Sequence, residues 1–349
     1  MRISTEVRGF TLIELLVVVA ILSAAAMFAL GTVESDRAQL RHDDTRHRLD
    51  LMERAILGRL GPADSSSVGG YVADNGRMPE NVVSLLEAGT YQTQAALAPI
   101  FDPVPDTADC ANNGGSSTTL TDSRAILIKG HREHYLGGAA NAVFRDGWGN
   151  ENSDAAADAD NFGWVANYSV SSADLTLASL GADNAGGGSD YAADMVRALL
   201  QGDWLVPITG WTVRVFNYTG ADIAARSLSA SLLVFVNDGA GGAWRRYSTA
   251  ADTMCLDGDG DGLVGGSPCA TSSSLVFTAG CFPGDAAGIS HARIPQGRHL
   301  LVLVDDADAN PWSSDDAVVF ATSAPTRPIS AQVTAIAGMG LPESRLELR

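Results

Sequence analysis

Several side chains in this sequence of 349 residues could do chemistry by their type and spacing. Glu14 stands at the edge of an uncharged run, Leu15–Val33. A carboxylate there is costly in lipid, so it requires a partner and a purpose. Asp257, Asp259 and Asp261 alternate with glycines, which gathers oxygen donors of the kind calcium takes six to eight of. A solvated acidic turn is the plainer account of the same residues. Asp305, Asp306, Asp308 and Asn310 have similar spacing and read as such a turn. His131 and His134 could ligate a metal but have no third ligand in view, and His42 and His47 read as solvated. There is no G-x-S-x-G elbow, H-E-x-x-H helix, Walker loop or G-x-G-x-x-G after a strand. Asp315-Asp316 lies in a turn-like stretch that suits a surface better than acid/base work. The chain reads as non-enzymatic.

The elements that hold these groups follow from hydropathy and turn residues. Leu15–Val33 is long enough to cross a bilayer as a helix, which takes roughly 20 residues. Arg2 and Arg8 precede it, as on the cytoplasmic side of a signal anchor. A cleaved secretory signal fits poorly, because its apolar core is shorter, about 7–15 residues, and here no A-x-A exit follows. The helical pattern continues past Val33, where Leu49, Met52, Ile56 and Leu60 form one apolar stripe up to Gly61-Pro62. A helix over residues 10–60 is roughly 75 Å long. The stripe suits a globular head or, equally by pattern, a coiled-coil seam.

The formal net charge is −18, from 23 basic and 41 acidic residues. Residues 1–60 hold eight of each, so the whole deficit lies in residues 61–349. Phosphate binding needs the opposite sign, which excludes nucleic acid as a partner. An acidic region rich in Gly, Asp, Ser and Ala suits a solvated periplasmic or extracellular protein. Past an outward-facing membrane helix the compartment is oxidising, so Cys110, Cys255, Cys269 and Cys281 are expected as two disulfides, with three possible pairings. Zinc with His291 is the second option, and no C-x-x-C spacing supports it.

Gly9-Phe10-Thr11-Leu12-Ile13-Glu14 followed by an apolar helix resembles the prepilin signature of type IV pilins and type II secretion pseudopilins. The resemblance implies a prepilin peptidase that cuts after Gly9 and methylates the Phe10 amine. It also implies that Glu14, one turn from Phe10, pairs with the N-terminal amine of a neighbouring subunit, offsetting two charges that are expensive in lipid. Partners implied are membrane lipid, other pilin or pseudopilin subunits and an inner-membrane assembly platform.

The segment after the helix resembles the head of major-type pseudopilins. Asp74-Asn75-Gly76-Arg77-Met78-Pro79 is turn chemistry, and Asn81–Ala88 is expected as a short helix capped by Asn81. Gly130 through Leu136, then Asp146-Gly147-Trp148-Gly149-Asn150, follow the same pattern. Strands are expected over Phe162–Val170 and Leu175–Ser179 as a hairpin, then a helix over Asp190–Leu200. Between them, residues 179–194 resemble the calcium loop of those pseudopilins. Carried onto this sequence, Asp183, Asp190 and Asp194 would supply side chains, and Leu180 and Ala185 carbonyls. An Asp N-cap without metal is the alternative for Asp190.

From about Gly202 that resemblance stops. Trp211–Tyr218, Ser229–Val236, Leu275–Ala279, His299–Val304 and Ala317–Thr322 read as strands, which argues for a β-sandwich. Two stretches, Val213–Gly220 and Ile294–Val304, faintly resemble transthyretin-like or carboxypeptidase-regulatory sandwiches. The Asp257 loop is the first half of an EF-hand-type calcium loop without its closing Glu, since Pro268 holds the twelfth position, and it resembles the repeats of thrombospondin type 3 modules.

The expected fold class is α+β. A leader (1–9) precedes a long N-terminal helix (10–61) packed on a small antiparallel pilin-type head (62–201), then a mostly-β, sandwich-like domain (202–349). The function implied is a structural subunit of a type II secretion pseudopilus or type IV pilus-like filament, held in the inner membrane with its head in the periplasm. An adhesin or substrate-binding module that uses the β domain is the alternative.

Overall fold

The computed structural model describes residues 12–58, 68–104, 117–132, 134–137, 143–169, 172–237, 242–277, 293–308 and 313–349, apart from the side chains of 29–32. It has the expected class, a long N-terminal helix followed by many antiparallel strands. Helix α1 (Leu12–Leu57) has 46 residues and so is about 69 Å long. It stops before Leu60 because Gly58 takes a φ of +70°, its N–H bonds Arg54 O at 2.9 Å, and a Cβ there would lie 1.8 Å from Gly69 O. Leu60, Gly61 and Pro62 lie outside the described residues.

The two halves of α1 differ in what they touch. Its apolar first half, Leu12 through Phe28, is exposed throughout among the described residues. The second half buries Leu49, Met52 and Ile56 against Tyr71, Leu85, Trp164, Leu175 and Leu177. The stripe therefore belongs to the head. A coiled-coil seam is not needed to cover it.

Helix α2 (Tyr71–Asn75) is fully buried. Where a helix over Asn81–Ala88 was expected, one 3-10 turn forms, Val83–Leu85. Asn81 Oδ1 accepts from Ser84 N as a cap would, but a helix of eight residues is marginal alone, and the burial of Val82, Leu85 and Leu86 fixes the tighter turn. β1 (Ala95–Leu97) pairs antiparallel with β2 (Leu127–Lys129). Helix α3 (Ala155–Asn161), which no sequence pattern marks, is capped by Asp154 accepting from Ala156 N and Ala157 N at 2.9 Å.

The expected hairpin forms as β3 (Val165–Ser169) and β4 (Asp174–Ser179). The helix expected over Asp190–Leu200 does not. Asp190–Ala192 is a single 3-10 turn, and β5 (Met195–Leu199) pairs with the free edge of β4, which would otherwise leave its backbone groups unpaired.

The remainder is a sandwich. The long strand β7 (Ile223–Val236) pairs on one edge with β8 (Ala243–Ser248) and β9 (Asp252–Leu256), and on the other with β11 (Gly297–Asp305). β11 in turn pairs with Ala317–Val318 and with β12 (Ser330–Ala335). The facing sheet is β6 (Thr212–Asn217) between β10 (Ser272–Val276) and β13 (Ser344–Leu348), with β13 parallel to β6. Strands β8, β9, β12 and β13 were not singled out from sequence.

The larger sheet is buried on both faces. Leu232, Val234, Leu301 and Leu303 meet the facing sheet, while Leu233, Phe235, Leu300, Val302 and Val304 meet Phe101, Leu120, Ala125 and Leu127. This explains the unbroken apolar runs Leu232–Val236 and Leu300–Val304, which a half-buried strand would have alternated with polar residues. Phe101, Leu120, Ala125 and Leu127 thus form part of the core with residues beyond 202.

Candidate functional site

Glu14 lies in the first turn of α1 and is exposed, within an apolar segment that the rest of the fold leaves bare. Gly9 and Phe10 lie outside the described residues.

Thr45 and Asp146 seat the head on the helix. Asp146 Oδ1 accepts from the N–H groups of Trp148, Gly149 and Asn150 at 2.8 to 3.1 Å. Its Oδ2 accepts from Asn150 Nδ2 at 2.8 Å and Ser179 Oγ at 2.6 Å. The turn so closed presses on α1: Gly147 N donates to Thr45 Oγ1 at 3.0 Å, and a Cβ on Gly147 would lie 2.2 Å from Arg41 O. Arg145 forks onto Asp158 at 2.6 and 2.8 Å, and its hydrogen bonds hold the Asp158 carboxyl down at about 2. The Asp-x-Trp-Gly-Asn segment is thereby a docking turn.

That turn also holds the loop of residues 180–194, through Asn150 Nδ2 on Gly181 O at 2.8 Å. Within the loop, Asp183 Oδ1 accepts from Ala185 N at 3.2 Å and Asp194 Oδ2 from Gly187 N at 3.0 Å. Asp183, Asp190 and Asp194 are exposed, and their carboxylates do not converge on one another. Leu180 precedes the 3-10 turn Gly181–Asp183. On the α1 side, Tyr191 OH bonds Gln39 Oε1 at 3.0 Å and packs edge-on against His42, so His42 is part of a contact.

The convergent acids lie elsewhere. Among the described residues, one group of carboxylates and other ligand-type side chains has its atoms within 4.8 Å of one another: Asp222, Asp257 and Asp259. Asp257 is buried and accepts from Gly260 N at 2.7 Å and Gly262 N at 2.9 Å, which lowers its pKa. Asp222 and Asp259 are exposed. Asp261 turns to Leu263 N at 2.7 Å and is not in the group. The loop is closed by the disulfide Cys255–Cys269. Cys110, Cys281 and His291 lie outside the described residues. Asp222 sits 35 residues before Asp257 in sequence, and the pairing of Ile223 with Leu256, with Gly258 N donating to Asp222 Oδ1 at 3.2 Å, brings it near. Three carboxylates are hard oxygen donors that fit calcium or magnesium and suit zinc poorly.

The other candidates resolve into structure. His131 is buried among the rings of Tyr71, Tyr91 and Tyr135, with Nε2 on Ser84 O. His134 is exposed, and neither joins a metal-type group among the described residues. Asp305 pairs with Arg226 at 2.9 Å, and Asp308 accepts from Ser313 Oγ at 3.0 Å; Asn310 lies outside the described residues. Asp316, expected at the surface, forms a buried ion pair with Arg246 at 2.9 Å, beneath the Phe101 ring. Burial pushes its carboxyl up to about 6.

Among the described residues the molecule is thus a long helix with an exposed apolar half that carries a β-rich head, which is consistent with membrane anchoring. Residues 6–30 match the family model of the prokaryotic N-terminal methylation motif. That motif implies a type IV pilin-like prepilin processed by a peptidase, an N-terminus that anchors in a membrane and assembles with other pilin subunits, and a family whose role is structural. No curated protein and no solved structure matches the chain.

Proposed function

We propose that the chain is a non-enzymatic subunit of a type II secretion pseudopilus or type IV pilus-like filament. It is stored in the inner membrane with its head in the periplasm, cut after Gly9, methylated at Phe10 and drawn into the filament through Glu14 and an assembly platform. The observation that carries this reading is continuity. The methylation motif at 6–30 runs straight into one helix whose apolar half the described residues leave exposed, as a segment that passes from lipid to a filament core requires. Calcium belongs to the proposal, held at Asp222, Asp257 and Asp259, where it would neutralise an acidic loop. The deciding experiment is the intact mass of the mature chain from membranes. A methylated Phe10 start supports the reading, and a chain that keeps Met1 refutes it.

A further inference from the structure

Arginines gather at one face of the sandwich. In the parallel pairing of β13 with β6, Arg345 lies opposite Arg214 and Glu347 opposite Phe216. Strand alternation sends Val213, Val215, Leu346 and Leu348 into the core and leaves Arg214, Phe216, Arg345 and Arg349 on the outer face. The guanidinium groups of Arg214 and Arg345 each lie 5.4 Å from the Phe216 ring centre. Phe216 stacks on Tyr218 at 5.9 Å, and Tyr218 is 56% exposed with Arg349 at 5.9 Å from its ring. Beside this ladder, Arg124, Arg327, Arg345 and Arg349 surround a cavity of about 220 Å³ whose one carboxylate is Glu347.

The charge at this spot is unbalanced. Glu347 pairs with Arg349, while Arg124, Arg327 and Arg345 have no carboxylate partner among the described residues. On the same face Arg214 pairs with Glu343 at 3.9 Å, and elsewhere Arg77, Arg132, Arg145, Arg197, Arg226 and Arg246 are paired. Residues 61–349 hold 15 basic and 33 acidic side chains, so this basic face is set in a strongly acidic molecule. Guanidinium groups crowded together repel unless anions meet them, and their planar forks match carboxylates.

We propose that this arginine and aromatic face docks an acidic surface of a second copy of the same chain. The proposal rests on the filament reading for what brings copies together, since bare α1 segments packed side by side raise the local concentration of heads. The complementary charge is the chain's own, an excess of 18 acidic groups over residues 61–349. Phe216 and Tyr218 supply rigid aromatic contacts of the kind enriched at interfaces, and the arginines give register and steering.

The test uses the full-length chain in membranes, with a photo-crosslinking residue in place of Tyr218. Irradiation is expected to give a covalent dimer whose second peptide comes from an acidic segment of the same chain. Arg327→Glu with Arg345→Glu should cut the dimer by about fivefold or more, as reversed charges repel the partner. Arg327→Lys with Arg345→Lys should keep most of it, and an unchanged melting temperature excludes misfolding. A dimer insensitive to charge reversal, no dimer, or an adduct with another protein, a polysaccharide or lipid overturns the proposal. The N-terminal mass measured on the same sample separates the two ideas. A methylated Phe10 with no charge-sensitive dimer removes only the docking face. An uncleaved chain removes the filament reading, and the dimer then still decides whether the face binds a copy.

Discussion

Asn75 and Asn237 hold each other twice across 162 residues of sequence: Asn75 O accepts the Asn237 backbone N–H at 2.7 Å, and Asn75 Oδ1 accepts from Asn237 Nδ2 at 2.8 Å. Both are buried, and Asn237 also bonds Gln92 through N–H and C=O at 3.1 and 2.9 Å. The end of α2 is thereby fastened to the end of β7, so the helix-bound head and the sandwich are expected to unfold together. Asn237→Ala should cost about 2–3 kcal/mol, because buried partners lose their bonds. Calorimetry of the detergent-solubilised variant should still show one transition for the head. Two separated transitions would contradict this coupling.

Gly147→Ala should loosen the head from α1. Its Cβ would sit 2.2 Å from Arg41 O, which the turn can relieve only by moving off the helix. A cost of about 1–3 kcal/mol is expected, as for overpacked sites. Hydrogen exchange should rise at Gly147 and Trp148 and in residues 41–49, while residues 230–236 stay protected. Uniform loss of protection would mean that the turn is not a local dock.

His299 gives the fold a sensitivity to acid. It is fully buried with Nε2 on Pro295 O at 2.8 Å, and burial, then the charge of Lys129, push its pKa down to about 3. The unfolded chain binds this proton near pH 6.5, so between pH 6.5 and 3 the unfolded state holds more protons and stability falls as pH falls. The loss from this residue between pH 7.5 and 5 should be about 2 kcal/mol. Urea melts of the wild type and His299→Gln at both pH values check it, with the wild-type difference expected to shrink in the variant. An equal pH effect in both would assign the sensitivity elsewhere.

Calcium at the disulfide-closed loop should be visible as stability. At free calcium about 100 times its dissociation constant, binding contributes about 2.7 kcal/mol. Asp222→Asn should remove the difference between melting in calcium and in chelator, as should Asp257→Asn, whereas Asp261→Asn should leave most of it. If Asp261→Asn abolishes the effect and Asp222→Asn does not, the cation sits on the linear Asp-Gly-Asp-Gly repeat instead.

Reduction of Cys255–Cys269 should lower stability by about 3 kcal/mol, from the loop entropy released over a separation of 14 residues. The same treatment should weaken calcium binding. Melting with and without reductant, each with calcium or chelator, separates the two effects.

Much of this was legible in the chain. The helix and its buried stripe at Leu49, Met52 and Ile56 follow from period, and the hairpin of β3 and β4 from alternation and its turn. The strand over Met195–Leu199 was misread as helix because its period of two is short and Asp190 resembles a cap; the open edge of β4 decided the matter. Asp316 was misread as surface, since its partner Arg246 lies 70 residues away and nothing local marks the pair. Asp222 was invisible for the same reason.

The sequence by itself determined what is local or periodic: the methylation motif, the apolar run, the helix it begins and the spacing of Asp257 and Asp259. These depend on neighbours within a few residues, which the chain order fixes. Only tertiary structure decided that Phe101, Leu120, Ala125 and Leu127 cover the second face of the sandwich, that Asp222 joins Asp257, and that Arg124 and Arg327 meet Arg345 and Arg349. Those relationships arise from burying apolar surface between strands far apart in sequence, a non-directional force that local pattern does not encode.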